Sequence, residues 1–326
     1  MTCEPLVSIV CLTYNEEQFV RDTFDNFLSQ KTTFPFEVLV YDDASRDRTS
    51  EIIKEYAIKY PDIFRITLYE ENNFKKGLGF YGLRVGFNEA RGKYIAYCEG
   101  DDYWCDDFKL QKQVDFLESH PEYEICAHET RIRNDSNLKE DGMLFSKTKV
   151  NIFLDRTKRN HYTFNDTLTG NIFHISSMMF RNNPIKWPEW ICEVTALDMV
   201  LFMMLAEKGN IYRLDDVMSV YRHNAKSITS TQQQFGNQIA FNNKSIELVS
   251  QMDGYWTHKY HKQISRVISR YYVNNMFCYL SKSYRNFTMA KEMAKKAFAL
   301  NSKVFVKYFF IESIAKLKKH LKGDAK

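Results

Sequence analysis

The chain has 326 residues, 44% of them hydrophobic and 26% charged, with a net charge of +4. This length allows one large domain or two ordinary ones, and the composition excludes a disordered chain. A net charge so small for the length argues against a nucleic-acid binder.

In chain order, the first 120 residues alternate two patterns. "LVSIVCL" (6–12) is a short continuous apolar run, as in a strand buried on both faces. "EEQFVRDTFDNFLSQ" (16–30) has helical spacing, with Phe19, Val20, Thr23, Phe24, Phe27 and Leu28 on one face. "FEVLVY" (36–41) predicts a second strand, and "RDRTSEIIKEYAIKY" (46–60) a second helix with Asp47 or Thr49 as N-cap. "DIFRITLY" (62–69) is a third strand. "GFYGLRVGFNEA" (79–90) reads as a helix weakened by its glycines. "KYIAYC" (93–98) is a fourth strand, and "DDFKLQKQVDFLESH" (106–120) a fourth helix. Such alternation predicts βαβ units on a mostly parallel sheet, with ligands at the carboxyl ends of the strands. "TYNEE", "DDASRD" and "EGDD" all fall at such ends.

Beyond residue 120 the pattern is less regular. "EICAHETRI" and "NIFHISSMMFR" read as strands, and "NDSNLKEDG" as a turn. "TALDMVLFMMLAEKG" (195–209) is a helix apolar on nearly every side, closed by Gly209, and "IYRLDDVMSVYRHNAKS" (211–227) reads as strand, turn, strand and polar loop. From about residue 231 the pattern is helical only. The expected division is 1–228, with halves 1–120 and 121–228, followed by a helical region 229–326.

The seven cysteines (Cys3, Cys11, Cys98, Cys105, Cys126, Cys192 and Cys278) include no CxxC pair. That argues against a disulfide framework or a zinc site and favours a reducing compartment. The N-terminal stretch lacks the basic region of a signal peptide, and no run of about 18 apolar residues exists. A cytoplasmic protein is expected.

The chemistry lies in the loops. Glu99, Asp101 and Asp102 follow the fourth strand as E-x-D-D. Two or three adjacent carboxylates there suit a hard divalent cation, Mg²⁺ or Mn²⁺. A helix cap needs only one acid, and adjacent anions repel unless something offsets their charge. Asp106 and Asp107 read as the start of the next helix.

The three segments "VSIVCLTYNEEQFVRDTFDNFLSQ", "FEVLVYDDASRDRT" and "EARGKYIAYCEGDDYW" together resemble family 2 glycosyltransferases of the GT-A fold. The resemblance is strong over residues 5–120 and weaker over 170–228. It is nearest to bacterial transferases that build capsular or other surface polysaccharides. It implies a mostly parallel α/β sheet flanked by helices and a nucleotide-sugar donor, commonly UDP-linked. Tyr14 would stack on the base and Asp43 would accept a hydrogen bond from it, with Thr13, Asn15 and Glu16 in the same site. Asp42 reads equally as a turn residue, and Glu16 as an acid favouring the next helix start. Asp101 and Asp102 match the family's metal- and sugar-binding acids. Glu99 stands where many members carry Asp, so its role is open.

Arg84 matches an arginine shifted from its usual position; it reads equally as a phosphate contact or an exposed helical residue. Asp198, ahead of the apolar helix, matches the catalytic base that deprotonates an acceptor hydroxyl, with Glu193 in reserve. The competing reading is a Thr195–Asp198 capping arrangement. "VYRHNAKSIT" resembles the segment that closes over the diphosphate, with His223 one position early for a metal ligand. Inversion at the anomeric carbon is inherited from the resemblance. The acceptor would be a saccharide or a lipid-linked saccharide. "KVFVKYFFIESIAKLKKHLK" (303–322) suits either a membrane-surface helix or a helix packed on the domain. Two rival functions are a sugar nucleotidyltransferase and a non-catalytic subunit of a polysaccharide assembly complex. The first lacks its glycine-rich loop in "LTYNEEQ"; the acids argue against the second.

Overall fold

The computed structural model describes residues 4–134, 141–147, 159–170, 172–194, 196–223, 238–281 and 284–323. The chain divides into two compact units, Met1–Ser230 and Thr231–Lys326.

The first unit is built on one nine-stranded sheet. Strands β1 (Val7–Thr13), β2 (Phe36–Asp42) and β4 (Tyr94–Tyr97) are buried almost throughout, which explains their continuous apolar runs. With β3 (Phe64–Leu68) they form a parallel block in the order β3-β2-β1-β4. Helices α1 (Val20–Leu28), α2 (Thr49–Lys59) and α3 (Tyr81–Glu89) supply the crossovers that parallel pairing needs.

Beyond β4 the sheet becomes mixed. β8 (Met179–Arg181) runs antiparallel to β4 and to β6 (Tyr123–Asn134). β6 pairs in parallel with β9 (Asn210–His223), and β5 (Tyr103–Trp104) and β7 (His161–Tyr162) pair antiparallel to β9. The mostly parallel expectation therefore describes one half of the sheet. α4 (Lys109–Ser119) lies between β5 and β6, and the one-turn helix α5 (Phe164–Thr167) follows β7.

Several elements differ from their sequence patterns for identifiable reasons. The pattern over 16–30 becomes a helix only at Val20. The backbone N–H groups of Glu16 and Glu17 are instead taken by Thr49 Oγ1 (2.7 Å) and Asp47 Oδ2 (3.1 Å), which join the first two loops. Neither Asp47 nor Thr49 is the N-cap of α2, which is Arg48. The stretch 171–181 is a strand only from Met179, because Ile175–Ser177 form a 3₁₀ turn fixed by Ser177 Oγ donating to His174 O. The strand-turn-strand expected over 211–223 is a single strand. Its register against β6 skips from Leu214 to Val217, so Asp215 and Asp216 form a bulge.

The glycines that weaken α3 as an isolated helix are required for its packing. A Cβ on Gly82 would lie 2.9 Å from Leu12 Cδ2, and one on Gly86 2.7 Å from Val10 Cγ1. α3 thus sits on β1 and β2 at a distance no larger residue permits.

Helix α6 (Leu197–Ala206) is buried at every position except Asp198, which faces the rim. The second unit contains helices Gln238–Tyr255, His261–Tyr279, Phe287–Leu300 and Ser302–Gly323. Val273, Met276, Phe277, Ala290, Met293 and Ala297 form a core within it. Among the described residues no helix is long and apolar enough to cross a membrane.

Candidate active site

Three loops meet at the carboxyl ends of β1, β2 and β4. The first two are bound together. Asp42, 1% exposed, accepts from Thr13 Oγ1 (2.9 Å), Ser45 N (2.9 Å) and Ser45 Oγ (2.5 Å). Asn15 N donates to Ser45 Oγ, and Asn15 Oδ1 accepts from Arg46 N. Asn15 has φ of 56°, a left-handed conformation that asparagine tolerates. Thr13, Asn15 and Asp42 thereby set the loop shape.

Tyr14 is half-buried at this rim, with the Lys75 ammonium 5.8 Å from its ring centroid. Asp43 is beside it. Its Oδ1 accepts from Asn73 N (2.8 Å) and Asn73 Nδ2 (2.9 Å), and its Oδ2 from Phe74 N (3.1 Å). The carboxylate therefore anchors residues 73 and 74 to the end of β2, and Asn72 Nδ2 donates to the Asp43 backbone O (2.8 Å).

The third loop carries the acids. One oxygen from each of Glu99, Asp101 and Asp102 lies within 4.8 Å of the others. Asp102 is fully buried; its Oδ1 accepts from Arg222 N (2.9 Å), and its Oδ2 has no hydrogen-bond partner. Glu16 Oε2 is likewise buried without a partner. Gly100 makes room for it: a Cβ there would collide with Glu16 Oε2 and lie 2.7 Å from Thr13 Cγ2.

Burial and mutual repulsion raise these acids. Glu99 is pushed up to about 8 by burial and by the charges of Asp101 and Asp198, although the Tyr97 hydroxyl (3.2 Å) favours its ionised form. Burial, then Asp101 and Glu99, raise both Glu16 and Asp102 well above the carboxylate range. Two unit charges at this separation repel by about 3 kcal/mol at an effective dielectric of about 20. The unfolded chain would lose the Glu99 proton near the ordinary value of about 4.3, whereas the fold holds it to about 8. Rising pH in that window therefore destabilises the metal-free fold. A divalent cation offsets this repulsion, and the two orphan oxygens fit an oxygen-ligated metal.

Arg222 holds the acidic loop in place, and His174 packs beside it. Arg222 is 5% exposed; it donates through Nη1 to Asp101 O (3.0 Å) and through Nη2 to Asp22 Oδ2 (2.8 Å) on α1. Its guanidinium lies 4.3 Å from the Tyr103 ring centroid. His174 Nδ1 is 3.6 Å from Asp102 Oδ2, and its ring stacks on Tyr221 at 4.2 Å. Burial lowers His174 to about 3, so the imidazole stays neutral.

Trp104 lies beneath the loop rather than facing a ligand. It is fully buried, donates from Nε1 to Ser176 O (3.0 Å) and packs on Phe27 at 4.8 Å. Asp106 and Asp107 precede α4, whose N-cap is Phe108, rather than starting it; Asp106 accepts from Phe108 N (2.8 Å), and Asp107 pairs with Lys31 (3.0 Å) and accepts from Ser29 Oγ (3.2 Å).

The charge of Asp198, in the first turn of α6, adds to those that raise Glu99. Asp198 Oδ1 accepts from Met199 N (2.8 Å). Thr195, the other half of the capping reading, lies outside the described residues. Glu193 is exposed at the end of a short 3₁₀ segment. Arg84 donates to Leu78 O and Cys192 Sγ (both 3.1 Å), tying the loop before α3 to the segment before α6. His223 is the last residue of β9, edge-on to Tyr221 at 6.0 Å. The loop proposed to close over the diphosphate, from residue 224 onward, lies outside the described residues.

Sequence reasoning did not single out Gly100, His174 or Arg222. Gly100 had a local signal, the lone glycine inside an acidic motif. Arg222 lay inside the quoted segment "VYRHNAKSIT" without being assigned a role, and His174 had no local signal, since it comes beside Asp102 only through the fold.

Comparisons with known proteins bear on the family and the fold. A family model described as glycosyl transferase family 2 matches residues 8–183. A Bacillus subtilis protein named as a candidate teichuronic acid biosynthesis glycosyltransferase, TuaG, is 26% identical over 258 residues, 78% of this chain and 93% of its own. Uncharacterised mycobacterial proteins are 37% identical over 226 residues, and the match spans about 60% of their length. Two solved structures share the GT-A fold. One is S. aureus TarS 1–349 in complex with UDP-GlcNAc, with a TM-score of 0.60 at 16% identity, covering 96% of this chain and 92% of that one. The other is the Pyrobaculum calidifontis mannosyltransferase PcManGT in complex with GDP-Man and Mn²⁺, with a TM-score of 0.52 at 17% identity, covering 91% and 87%. With its family model matched over more than half its length, and the acids of its motifs on one rim, this chain belongs to glycosyl transferase family 2.

Proposed function

We propose that the chain is a metal-dependent, inverting glycosyltransferase. It moves a sugar from a nucleotide-diphosphate donor, UDP-linked in our reading, to a hydroxyl of a saccharide or lipid-linked saccharide in surface polysaccharide synthesis. The observation that carries this is the Glu99–Asp101–Asp102 cluster, with the orphan Asp102 Oδ2 at its centre. The donors in the TarS and PcManGT complexes, and the naming of TuaG, support the substrate class.

In this reading Asp101 and Asp102 hold Mn²⁺ or Mg²⁺. A cation there supplies Lewis-acid neutralisation of the diphosphate as it leaves. Arg222, pinned to Asp22, keeps Asp102 Oδ1 occupied and Oδ2 aimed into the site. Tyr14 stacks on the base, and Asp43 accepts from the base while holding residues 72–74. Thr13, Asn15 and Glu16 shape the pocket, and Arg84 and Lys75 add positive charge near the phosphates. Asp198 takes the acceptor's proton as its oxygen attacks the anomeric carbon from the face opposite the leaving group. Asp198 is the one residue of α6 left partly exposed, so an acceptor hydroxyl can approach it.

The test is incubation of the chain with a panel of nucleotide sugars, with and without Mn²⁺, reading released nucleoside diphosphate. Mn²⁺-dependent release from one donor class is expected. No release from any donor, with any divalent cation, would rule the reading out.

We also propose peripheral membrane contact through the C-terminal helix Ser302–Gly323, acting on lipid-linked acceptors. Val306, Phe310, Ile311 and Ile314 are exposed there beside Lys303 and Lys307. Removing residues 303–326 should reduce co-sedimentation with anionic vesicles, and unchanged sedimentation would refute the contact.

A further inference from the structure

The second unit carries a polar cluster that the transferase reading does not use. It lies at the turn between helices Gln238–Tyr255 and His261–Tyr279. Asp253 sits in the last turn of the first helix, His258 in the turn, and His261 at the start of the second helix. The turn is tight. His258 N donates to Asp253 O (2.8 Å), and Thr257 and His258 have φ of 48° and 62°.

We propose that Asp253, His258 and His261 form a binding site for one transition-metal ion of the Zn²⁺ class. Their ligand atoms lie within 4.8 Å of one another. Asp253 Oδ2 accepts from His258 Nδ1 at 2.9 Å and from His261 Nδ1 at 2.7 Å. The Asp253 side chain is nearly buried, at 5% exposure for the residue, and its other oxygen, Oδ1, is buried with no hydrogen-bond partner. Here both rings converge on one oxygen, and a second buried oxygen remains for a ligand.

The surroundings match those of a metal-ligating histidine. Such rings use one nitrogen for the metal and place the other N–H on a fixed acceptor. His261 Nε2 lies 3.2 Å from Ser265 Oγ, one helical turn on. Binding at Nδ1 moves the ring proton to Nε2, where Ser265 Oγ accepts it. The two histidine side chains are 70% and 63% exposed, so the ion can enter from solvent and keep a water in its fourth position.

Two imidazoles and a carboxylate select Zn²⁺, Co²⁺ or Ni²⁺ over Mg²⁺ and Ca²⁺, which prefer oxygen alone. The site is thus chemically distinct from the all-oxygen cluster of the first unit. The scattered cysteines argued against zinc only as a thiolate ligand set; these ligands are not cysteines. A bound ion would clamp the helical hairpin at its turn.

The experiment titrates Zn²⁺ into the full chain against a chromophoric chelator, with Mg²⁺ in excess to occupy the acidic cluster. One Zn²⁺ per chain is expected, and Co²⁺ in its place should show the visible absorption of four-coordinate cobalt. His258→Gln with His261→Gln should abolish uptake, Ser265→Ala should weaken it by roughly 10- to 100-fold, and Asp102→Ala should leave it intact. No uptake by the unaltered chain overturns the proposal whatever the variants do. So does uptake that survives the double histidine variant or disappears with Asp102→Ala. Because the transferase assay is read separately, either reading can fail alone.

Discussion

Asp102→Ala lowers Mn²⁺-dependent release of nucleoside diphosphate by about 10³-fold, the rate cost of losing several kcal/mol of charge neutralisation on the leaving group. Asp102 is singled out because its Oδ2 is the one buried oxygen of the cluster left without a partner, while Oδ1 is committed to Arg222 N. The replacement removes a fully buried acid whose ionised form burial and its neighbours oppose. It also leaves Arg222 N without its acceptor, so a melting curve recorded alongside separates loss of chemistry from loss of fold. Activity within about threefold of the unaltered chain would remove Asp102 from the metal site.

Asp198→Asn gives a different signature. Loss of a general base costs about 10²- to 10⁴-fold in transfer to the acceptor. The amide is nearly isosteric, and Met199 N can still donate to its oxygen, so the start of α6 is retained. Donor and Mn²⁺ binding should not weaken. Removing the Asp198 charge also relieves Glu99, whose proton is held partly by that charge. A variant that binds donor normally but transfers slowly supports the base; one that transfers at the normal rate excludes it.

These two residues also show what a linear sequence can and cannot disclose. The E-x-D-D motif was legible because an apolar run ending in adjacent acids is a local signal, and the alternation of strands and helices placed that end on a ligand-binding rim. The parallel half of the sheet followed from the same alternation. The mixed half did not, because β8 and β5 are only three and two residues long and carry no period of their own. Position 16 was ambiguous for another reason: an acid ahead of a helix usually serves that helix. Its true surroundings depend on Gly100, which the fold brings against it. His174 was invisible, and Arg222, though part of "VYRHNAKSIT", gave no sign of its contact with the acidic loop. Arg222 reaches Asp102 across 120 residues of chain, and nothing near either residue records that distance. α3 shows the reverse case, in which glycines that count against a helix locally are what its packing on β1 and β2 requires.

The electrostatics of the acidic cluster link pH to metal binding. Glu99 keeps its proton to about 8, so at pH 6 a cation must displace it, whereas at pH 8 much less proton remains to displace. Mn²⁺ affinity should therefore rise with pH over that range, by no more than about tenfold per unit for each proton released.

The central claim is that Asp101 and Asp102, in the cluster they form with Glu99, hold a divalent cation together with a nucleoside diphosphate. Calorimetric titration of Mn²⁺ into the chain in the presence of UDP tests it most directly. The account predicts one Mn²⁺ bound at the acidic cluster, tighter at pH 8 than at pH 6, and lost in Asp102→Ala. No Mn²⁺ uptake, or uptake unchanged in that variant, would contradict it.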